Sequence, residues 1–162
     1  MTNDEIAEIL DKPYAQQLLN GPDPARMAYD GLDGKPRVIP IGFWTEGDRI
    51  AMATAPKSPK VAALRKNPDV ALTIDSAAFP PKVLLIRGTA ELELVAGTPE
   101  GYLRAGHKVM TDEQYADWVV GVQGLYDEMV VITITPTWVK LLDFETTLPK
   151  PVEDLLKEKS AR

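Results

Sequence analysis

Closely spaced turn signals in the first half of the chain constrain its fold more than any other feature of the sequence. Asp33-Gly34 separates two strand-like segments, residues 26–31 and 36–44, and Glu46-Gly47-Asp48 marks the next turn. An Asp-Gly dipeptide favours the tight turn of a β-hairpin. Strands joined by such short turns run antiparallel, because a parallel connection needs a long crossover. The pattern therefore predicts an antiparallel barrel rather than a doubly wound parallel sheet.

The length of the chain, 162 residues, suits a single domain that spans residues 1–162. Alternation and turn signals predict six or seven strands and about four helices, so the expected class is mainly β with flanking helices. Residues 1–20 are expected to form an N-terminal helical segment, in which Thr2 and Glu5 have the spacing of a capping box. Residues 150–162 are expected to form a charged helical tail.

Three segments carry specific expectations about their strands. Ile50, Met52 and Thr54 alternate with alanines over residues 50–55, which predicts a half-buried strand. Residues 83–86 form a continuous apolar run, which predicts burial on both faces. Pro136 is expected to end one strand, with residues 139–143 in a separate last strand.

A helix is predicted after Thr111, which forms a second capping-box pair with Gln114. Apolar and aromatic side chains then recur at helical spacing from Tyr115 to Tyr126. Such a stripe is more often packed in a core than exposed to a cofactor, so core packing is the expectation for it.

Few side chains of this chain are suited to demanding chemistry. The sequence has no cysteine and one histidine, His107. Disulfides, thiolate nucleophiles and Cys-ligated metals are therefore excluded, and no metal site is expected. His107 has no partner motif beside it and is expected in a partly exposed loop rather than in a catalytic triad. If the chain is an enzyme, a bound cofactor carries the reaction.

The formal net charge of −6 argues against a nucleic-acid partner and against docking on an anionic membrane. The acidic N-terminus lacks the basic region of a signal peptide, and the apolar runs are too short to span a bilayer. A cytoplasmic location is therefore expected.

Residues 54–60 join the end of a predicted strand to the start of a predicted helix at Pro59, with Ser58 as its expected cap. Free N–H groups and the positive end of the helix dipole meet at such a junction, which suits a phosphate. Lys57 and Lys60 add two positive charges that oppose the dipole unless an anion compensates them. Two solvated surface lysines are the alternative explanation. No P-loop and no Gly-x-Gly-x-x-Gly motif is present.

Four segments, in this order and spacing, resemble the pyridoxamine 5'-phosphate oxidase-like, flavin-binding split β-barrel superfamily. The resemblance covers about residues 25–144. The segments are Gly34-Lys-Pro-Arg37-Val-Ile-Pro40-Ile-Gly-Phe-Trp44, Met52-Ala-Thr54, Ser58-Pro-Lys60-Val-Ala-Ala-Leu64-Arg-Lys-Asn-Pro68-Asp-Val-Ala-Leu72 and Arg87-Gly88-Thr-Ala90-Glu-Leu92.

The resemblance implies a split-barrel homodimer with two cofactor sites at the subunit interface. The cofactor is FMN or, alternatively, the deazaflavin coenzyme F-420, for whose acidic tail Lys82 is a further candidate. Trp138 or Leu141 of the other subunit would close the ring pocket, and Arg87 would have a structural or interfacial role. The implied cofactor-binding residues are Arg37, Val38, Ile39, Pro40, Ile41, Met52, Ala53, Thr54, Lys57, Ser58 and Lys60.

One departure from the family concerns the substrate. True pyridoxamine-phosphate oxidases carry a Trp-Gln-Gly stretch and a later Arg-x-His, whereas residues 138–147 of this chain contain neither. The expected function is therefore FMN- or deazaflavin-dependent hydride transfer to or from a different small organic substrate. A flavin- or haem-binding protein without turnover is the alternative, and a structural dimer with an empty groove is a weaker one. No catalytic side chain is identified, since Tyr102, Tyr115 and Tyr126 are candidates by chemistry alone.

Overall fold

A computed structural model describes residues 1–161 of the chain. Arg162, the last residue of the predicted helical tail, lies outside the described residues. The described part contains seven strands and six helices, so the fold class is mixed α/β rather than mainly β. The strands are β1 (Ala25–Asp30), β2 (Pro36–Ile41), β3 (Trp44–Glu46), β4 (Arg49–Thr54), β5 (Asp69–Asp75), β6 (Val83–Ala96) and β7 (Glu128–Leu142). The helices are α1 (Asn3–Leu10), α2 (Pro13–Asn20), α3 (Pro59–Lys66), α4 (Glu100–His107), α5 (Asp112–Leu125) and α6 (Lys150–Ser160).

The seven strands form one antiparallel sheet in the order β2-β1-β5-β6-β7-β4-β3. The edge strands β2 and β3 are consecutive in the chain and are joined by Gly42 and Phe43 alone. Three Cα steps bring Ile41 within about 11 Å of Trp44. A flat sheet of this size would hold its edges about 29 Å apart. The sheet must therefore curl until its edges nearly meet, as expected for a barrel split between β2 and β3.

The helix starts and hairpins predicted from the sequence are confirmed. Thr2 and Thr111 both complete capping boxes, with Glu5 and Gln114 as their respective partners. The Asp33-Gly34 turn joins β1 to β2, and Gly47, with a φ of 59°, lies in the turn that joins β3 to β4. A positive φ is costly for most side chains, so glycine suits the position in this tight turn.

The strand β4 is buried on both faces, whereas alternation predicted a half-buried strand. Ile50 and Met52 pack in the main core, and Ala51 and Ala53 pack in a second cluster with Trp44 and other side chains. Alanine is small enough to lie under a helix, and α4, which covers this face of the sheet, could not be predicted from the alternation in β4. The helix α4 was not predicted, and His107 is its last residue rather than a loop residue.

The strand β7 continues through Pro136, so the predicted break there and the separate last strand were wrong. The β6–β7 register shifts at this point: Gly88 pairs with Pro136 and Arg87 pairs with Trp138. Thr137 is left as the extra residue of a bulge, and its hydroxyl donates to the Arg87 carbonyl at 3.2 Å. A bulge tolerates a proline because the ladder is already interrupted there. Asp143 lies beyond the strand.

The apolar run at residues 83–86 is buried on one face only. Leu84 and Ile86 lie in the core, whereas Val83 and Leu85 are half-buried on the outer face of β6. None of the helices in residues 1–161 is both long and apolar enough to cross a membrane.

Candidate functional site

The main cavity of the structure lies beside the split between the sheet edges and has a volume of about 610 Å³. This volume is within the range usual for small-molecule sites. Its walls come from the ends of β2 and β4, the start of α3, and the helices α4 and α5. The lining residues are Pro22, Asp23, Pro24, Ile39, Pro40, Ile41, Gly42, Phe43, Ala53, Thr54, Ala55, Ser58, Lys60, Tyr102, Ala105, Gly106, Lys108, Val109, Trp118, Tyr126 and Met129.

Lys60 is a half-buried cation in the first turn of α3. Its Nζ donates hydrogen bonds to Thr54 Oγ1 at 3.1 Å and to Ser58 Oγ at 2.7 Å. Within residues 1–161 no carboxylate forms an ion pair with it. Burial lowers the pKa of Lys60 below its usual value. An ammonium group in this state is stabilised by an anion, which restores the interaction that it loses with water.

Ser58 precedes α3, as predicted, but its side chain accepts no hydrogen bond from the helix backbone. Its hydroxyl oxygen accepts from Lys60 instead. Pro59 has no N–H, and the Val61 N–H donates to the Ser58 carbonyl at 2.9 Å, so the Lys60 N–H is the donor that the first turn leaves without a side-chain cap. A helix N–H and an ammonium group of the same residue can both donate to a phosphate.

Seven of the residues predicted for the site line this one cavity. They come from three separate segments: Ile39, Pro40 and Ile41 from β2, Ala53 and Thr54 from β4, and Ser58 and Lys60 from the start of α3.

Four of the predicted site residues lie elsewhere. Arg37 bends towards the hairpin and pairs with Asp33 at 3.0 Å, in a smaller cavity. Val38 is 67% exposed and Met52 is fully buried in the core. Met52 lies on the opposite face from Ala53, since neighbours in a strand alternate between faces. Lys57 is exposed and does not line the main cavity.

Three aromatic side chains form a wall of the cavity, and two of them, Trp118 and Tyr126, were predicted to pack in the core. Tyr102 of α4 stacks on Trp118 of α5, with ring centroids 5.5 Å apart, and meets Tyr126 edge-on at 6.4 Å. Burial, with Tyr126 second, raises the pKa of Tyr102. In α5 only Val122 is buried, and of the predicted core stripe Trp118 and Tyr126 line the cavity. The helical spacing of the stripe was visible in the sequence, but spacing does not tell what the stripe faces.

Lys108 supplies a second cation to the cavity, just after α4. Its Nζ donates to the carbonyls of Leu19 at 2.8 Å and Phe43 at 3.2 Å, and lies 4.4 Å from the centre of the Phe43 ring. Burial, with the nearby Arg104 charge second, lowers the pKa of Lys108.

The other residues implicated by the resemblance lie outside the cavity lining. Arg87 stacks over the Trp138 ring at 4.4 Å on the outer face of the sheet. Leu141 packs against the main core, and Lys82 lies 4.3 Å from the centre of the Tyr14 ring. Tyr115 stacks on His107 at 4.1 Å, and the His107 ring pairs with Asp112 at 2.9 Å.

The fold is a curled, split antiparallel sheet, and the site is a cavity with a half-buried cation beside the split. These two features indicate the class of protein that this chain resembles. The model of the family described as pyridoxamine 5'-phosphate oxidase matches residues 12–143. The chain therefore belongs to the pyridoxamine 5'-phosphate oxidase-like family, as the sequence motifs predicted. No curated protein matches the chain.

Solved structures share the fold at low sequence identity. One described as an F420 reductase is 24% identical, with a TM-score of 0.59, over 77% of this chain and 94% of that one. A conserved hypothetical protein of Mycobacterium tuberculosis is 21% identical, with a TM-score of 0.62, over 92% of this chain and 89% of that one. A heme-binding protein of Mycobacterium smegmatis is 15% identical, with a TM-score of 0.58, over 92% of this chain and 58% of that one.

Proposed function

We propose that the chain is an oxidoreductase that binds FMN, or alternatively the deazaflavin coenzyme F-420, in the main cavity. The bound cofactor supplies hydride transfer to or from a small organic substrate. The observation that carries the proposal is Lys60, a half-buried ammonium held by Thr54 and Ser58 with no carboxylate partner within residues 1–161. A ligand phosphate supplies the charge that this position lacks.

The remainder of the cavity fits the ring of such a cofactor. The strand β2 is an edge strand, so one side of its backbone has no neighbouring strand to pair with. Alternate residues of an edge strand turn their backbone groups away from the sheet, and Pro40 can offer only its carbonyl, so part of the backbone of residues 39–41 is available to the edge of a polar ring. Tyr102, Trp118 and Tyr126 line the same cavity, so its walls combine backbone groups with aromatic side chains.

The same proposal assigns the chain to a homodimer. Val83 and Leu85 are half-exposed apolar side chains on the outer face of β6, and Trp138 lies beside them on β7. This face belongs to the two longest strands in the middle of the sheet, where a second copy would bury it.

The test is an absorption spectrum of the purified protein, followed by fluorescence titrations with FMN and with F-420. Lys60→Gln is expected to weaken binding at least about tenfold, because a charge-assisted hydrogen bond to phosphate is lost. Lys57→Gln separates the two predicted phosphate lysines: it is expected to have little effect, since Lys57 lies outside the cavity. Lys157→Gln, on the exposed tail helix, is the control for loss of charge.

The titrations have three informative outcomes. Binding of FMN that depends on Lys60 supports a flavin enzyme, and binding of F-420 alone supports a deazaflavin enzyme. Binding of neither, or binding that Lys60→Gln leaves unchanged, contradicts the proposal.

A cofactor-binding protein without turnover is the second candidate function. The titratable side chains of the described lining are Asp23, Lys60, Lys108, Tyr102 and Tyr126. The lining therefore contains no histidine, the side chain whose usual pKa lies near neutral pH. Reduction of the bound cofactor, followed by reoxidation with candidate acceptors, separates this alternative from an enzyme. Flavin or haem that binds without turnover favours storage or sensing.

A further inference from the structure

Lys108, Tyr102, Trp118 and Tyr126 line the main cavity from α4, from α5 and from the residue directly after each of these helices. This part of the lining is called the Lys108 end below, and it has its own donors and its own charge. We infer that the Lys108 end binds the carboxylate of a planar, aromatic or conjugated organic acid, and that such an acid is the substrate. The substrate role rests on the function proposed above, whereas the binding of the acid is measurable without a cofactor.

The hydrogen bonds of Lys108 leave one of its donors without a protein acceptor. An ammonium group has three N–H donors. Two donate to the carbonyls of Leu19 and Phe43, the centre of the Phe43 ring lies 4.4 Å from the same nitrogen, and within residues 1–161 Lys108 forms no ion pair. The two carbonyls hold the ammonium in place but do not neutralise its charge. A carboxylate in the cavity supplies both an acceptor and the missing negative charge.

The aromatic side chains of the Lys108 end select the shape of the ligand. Tyr102 and Trp118 are stacked at an interplanar angle of 29°, and Trp118 packs directly against Gly106, where a Cβ would collide with its ring. The absence of a side chain at Gly106 thus leaves the indole at the cavity wall. Rings held in this way favour a planar group in contact with them.

The hydroxyl groups add further donors at the same end. Within residues 1–161, Tyr102 and Tyr126 make no side-chain hydrogen bond, and no fully buried side-chain polar atom lacks a partner. Their hydroxyl groups therefore remain accessible to the cavity or to solvent. Burial raises the pKa of Tyr102, so its hydroxyl stays protonated and able to donate at neutral pH.

The charges that line the cavity favour an anionic ligand. Asp23 is the one carboxylate among the described lining residues, against the two lysines Lys60 and Lys108. Asp23 forms no ion pair with either lysine within the part of the chain that the structure describes. The lining is thus positive in a chain whose formal net charge is −6.

A carboxylate at Lys108 has two possible sources, the substrate or the acidic tail of a deazaflavin cofactor. The aromatic wall favours the substrate, because the tail is aliphatic and has no ring to stack on Tyr102 and Trp118. The test therefore includes both sources.

The experiment compares two probes of similar size and shape, the anion 2-naphthoate and the neutral 2-naphthamide, by tryptophan fluorescence and calorimetry. It uses the full chain with and without saturating cofactor. We expect 2-naphthoate to bind at least about tenfold more tightly than 2-naphthamide. Lys108→Gln keeps donors for the carbonyls but removes the charge, and is expected to abolish the difference. Tyr102→Phe removes one hydroxyl and is expected to weaken 2-naphthoate severalfold.

Matched controls separate this site from general effects on the fold. Lys66→Gln removes another lysine that donates to a backbone carbonyl, at Leu32, but lies outside the main cavity. Tyr115→Phe removes a tyrosine hydroxyl outside the cavity lining. Neither is expected to change the affinity for 2-naphthoate. If Lys108→Gln fails to fold, Tyr102→Phe against Tyr115→Phe decides the test.

Equal affinity for the two probes, or selectivity that both Lys108→Gln and Tyr102→Phe leave intact, overturns the inference. A second set of results also overturns it: 2-naphthoate does not bind, and Lys108→Gln weakens the binding of F-420 but not the binding of its deazaflavin core without the tail. The carboxylate at Lys108 then belongs to the cofactor. Failure of the proposed function is distinguishable: no cofactor binds, yet the selectivity for 2-naphthoate persists in the cofactor-free protein.

Discussion

Asp143 and Lys60 are both charged side chains with reduced access to water, but they differ in the protein groups that surround them. Asp143 is 6% exposed, and its carboxylate accepts hydrogen bonds from the backbone N–H groups of Glu145, Thr146 and Thr147 and from the Thr146 hydroxyl. Lys60 has two hydroxyl groups but no opposite charge among the described residues. The protein thus satisfies the carboxylate by itself, whereas the lysine is suited to a ligand.

Replacing Asp143 with Asn is expected to lower the free energy of unfolding at pH 7 by about 1–3 kcal/mol, because a charged acceptor of several buried bonds is lost. Burial by itself raises the pKa of Asp143, but the hydrogen bonds from Thr146, Thr147 and Glu145 outweigh it and hold the pKa well below its usual range. The contribution is therefore complete above about pH 4, the value for an unfolded aspartate, and declines as the pH falls below it.

Urea unfolding of the wild type and of Asp143→Asn at pH 7, 4 and 2.5 measures this dependence. The difference between the two proteins should shrink towards low pH. Asp117→Asn, at an exposed position of α5, is the control and should show little difference at any pH. A difference for Asp143→Asn that stays constant from pH 7 to 2.5 would contradict the assignment.

At the scale of secondary structure, α4 determines the shape of the cavity. Gly101 packs against the indole of Trp44, Gly106 packs against Trp118, and Tyr102 between them lines the cavity. Two glycines shorten the distance between the helix and its neighbours, although each weakens the helix itself. The close approach brings α4 onto the face of β4 that carries Ala51 and Ala53.

Gly101→Ala is expected to destabilise the protein by about 1–3 kcal/mol, because its Cβ collides with the buried Trp44 ring. Gly121→Ala is the opposite case. Gly121 lies within α5, and a Cβ there meets no atom within 4 Å. That substitution should stabilise the protein by about 0.5–1 kcal/mol, since alanine favours a helix. Urea denaturation of both variants measures the two changes in the free energy of unfolding. If both variants were stabilised, α4 would not pack against Trp44 as described.

At the scale of the whole molecule, the outer face of β6 and β7 carries apolar side chains that no helix of the described chain buries completely. Leu85 and Val83 are half-buried there, and Arg87 stacks on Trp138. The sequence predicted burial on both faces of residues 83–86, and a second copy would account for that pattern.

Light scattering during gel filtration tests the homodimer. The wild type is expected to have about twice the chain mass of 17.8 kDa. Leu85→Glu places a charge on the outer face and should shift the mass towards the single chain. Leu94→Glu, on the same strand at a 54% exposed position of the other face, is the matched control. A monomeric wild type, or a dimer that Leu85→Glu leaves intact, would contradict the proposed interface.

The local features of this fold follow from the sequence. Capping boxes at Thr2 and Thr111, the Asp33-Gly34 hairpin and the junction of residues 54–60 were all predictable, because each depends on side chains a few residues apart. The motifs from Gly34 to Leu92 also led to the correct family. Seven of the predicted site residues line one cavity, because they belong to short segments that the family motifs already contain.

Only the tertiary structure decided which faces of these elements are covered. Alternation in β4 could not reveal that α4 buries its alanines, and helical spacing in α5 could not distinguish a core from a cavity wall at Trp118 and Tyr126. Arg37 was assigned to the cofactor by its neighbours in sequence, but Asp33 across the hairpin turn pairs with it. Lys108 could not be predicted as a site residue, since its partners at Leu19 and Phe43 are distant in the chain. Burial and pairing depend on contacts between distant segments, whereas propensity and spacing describe each segment alone.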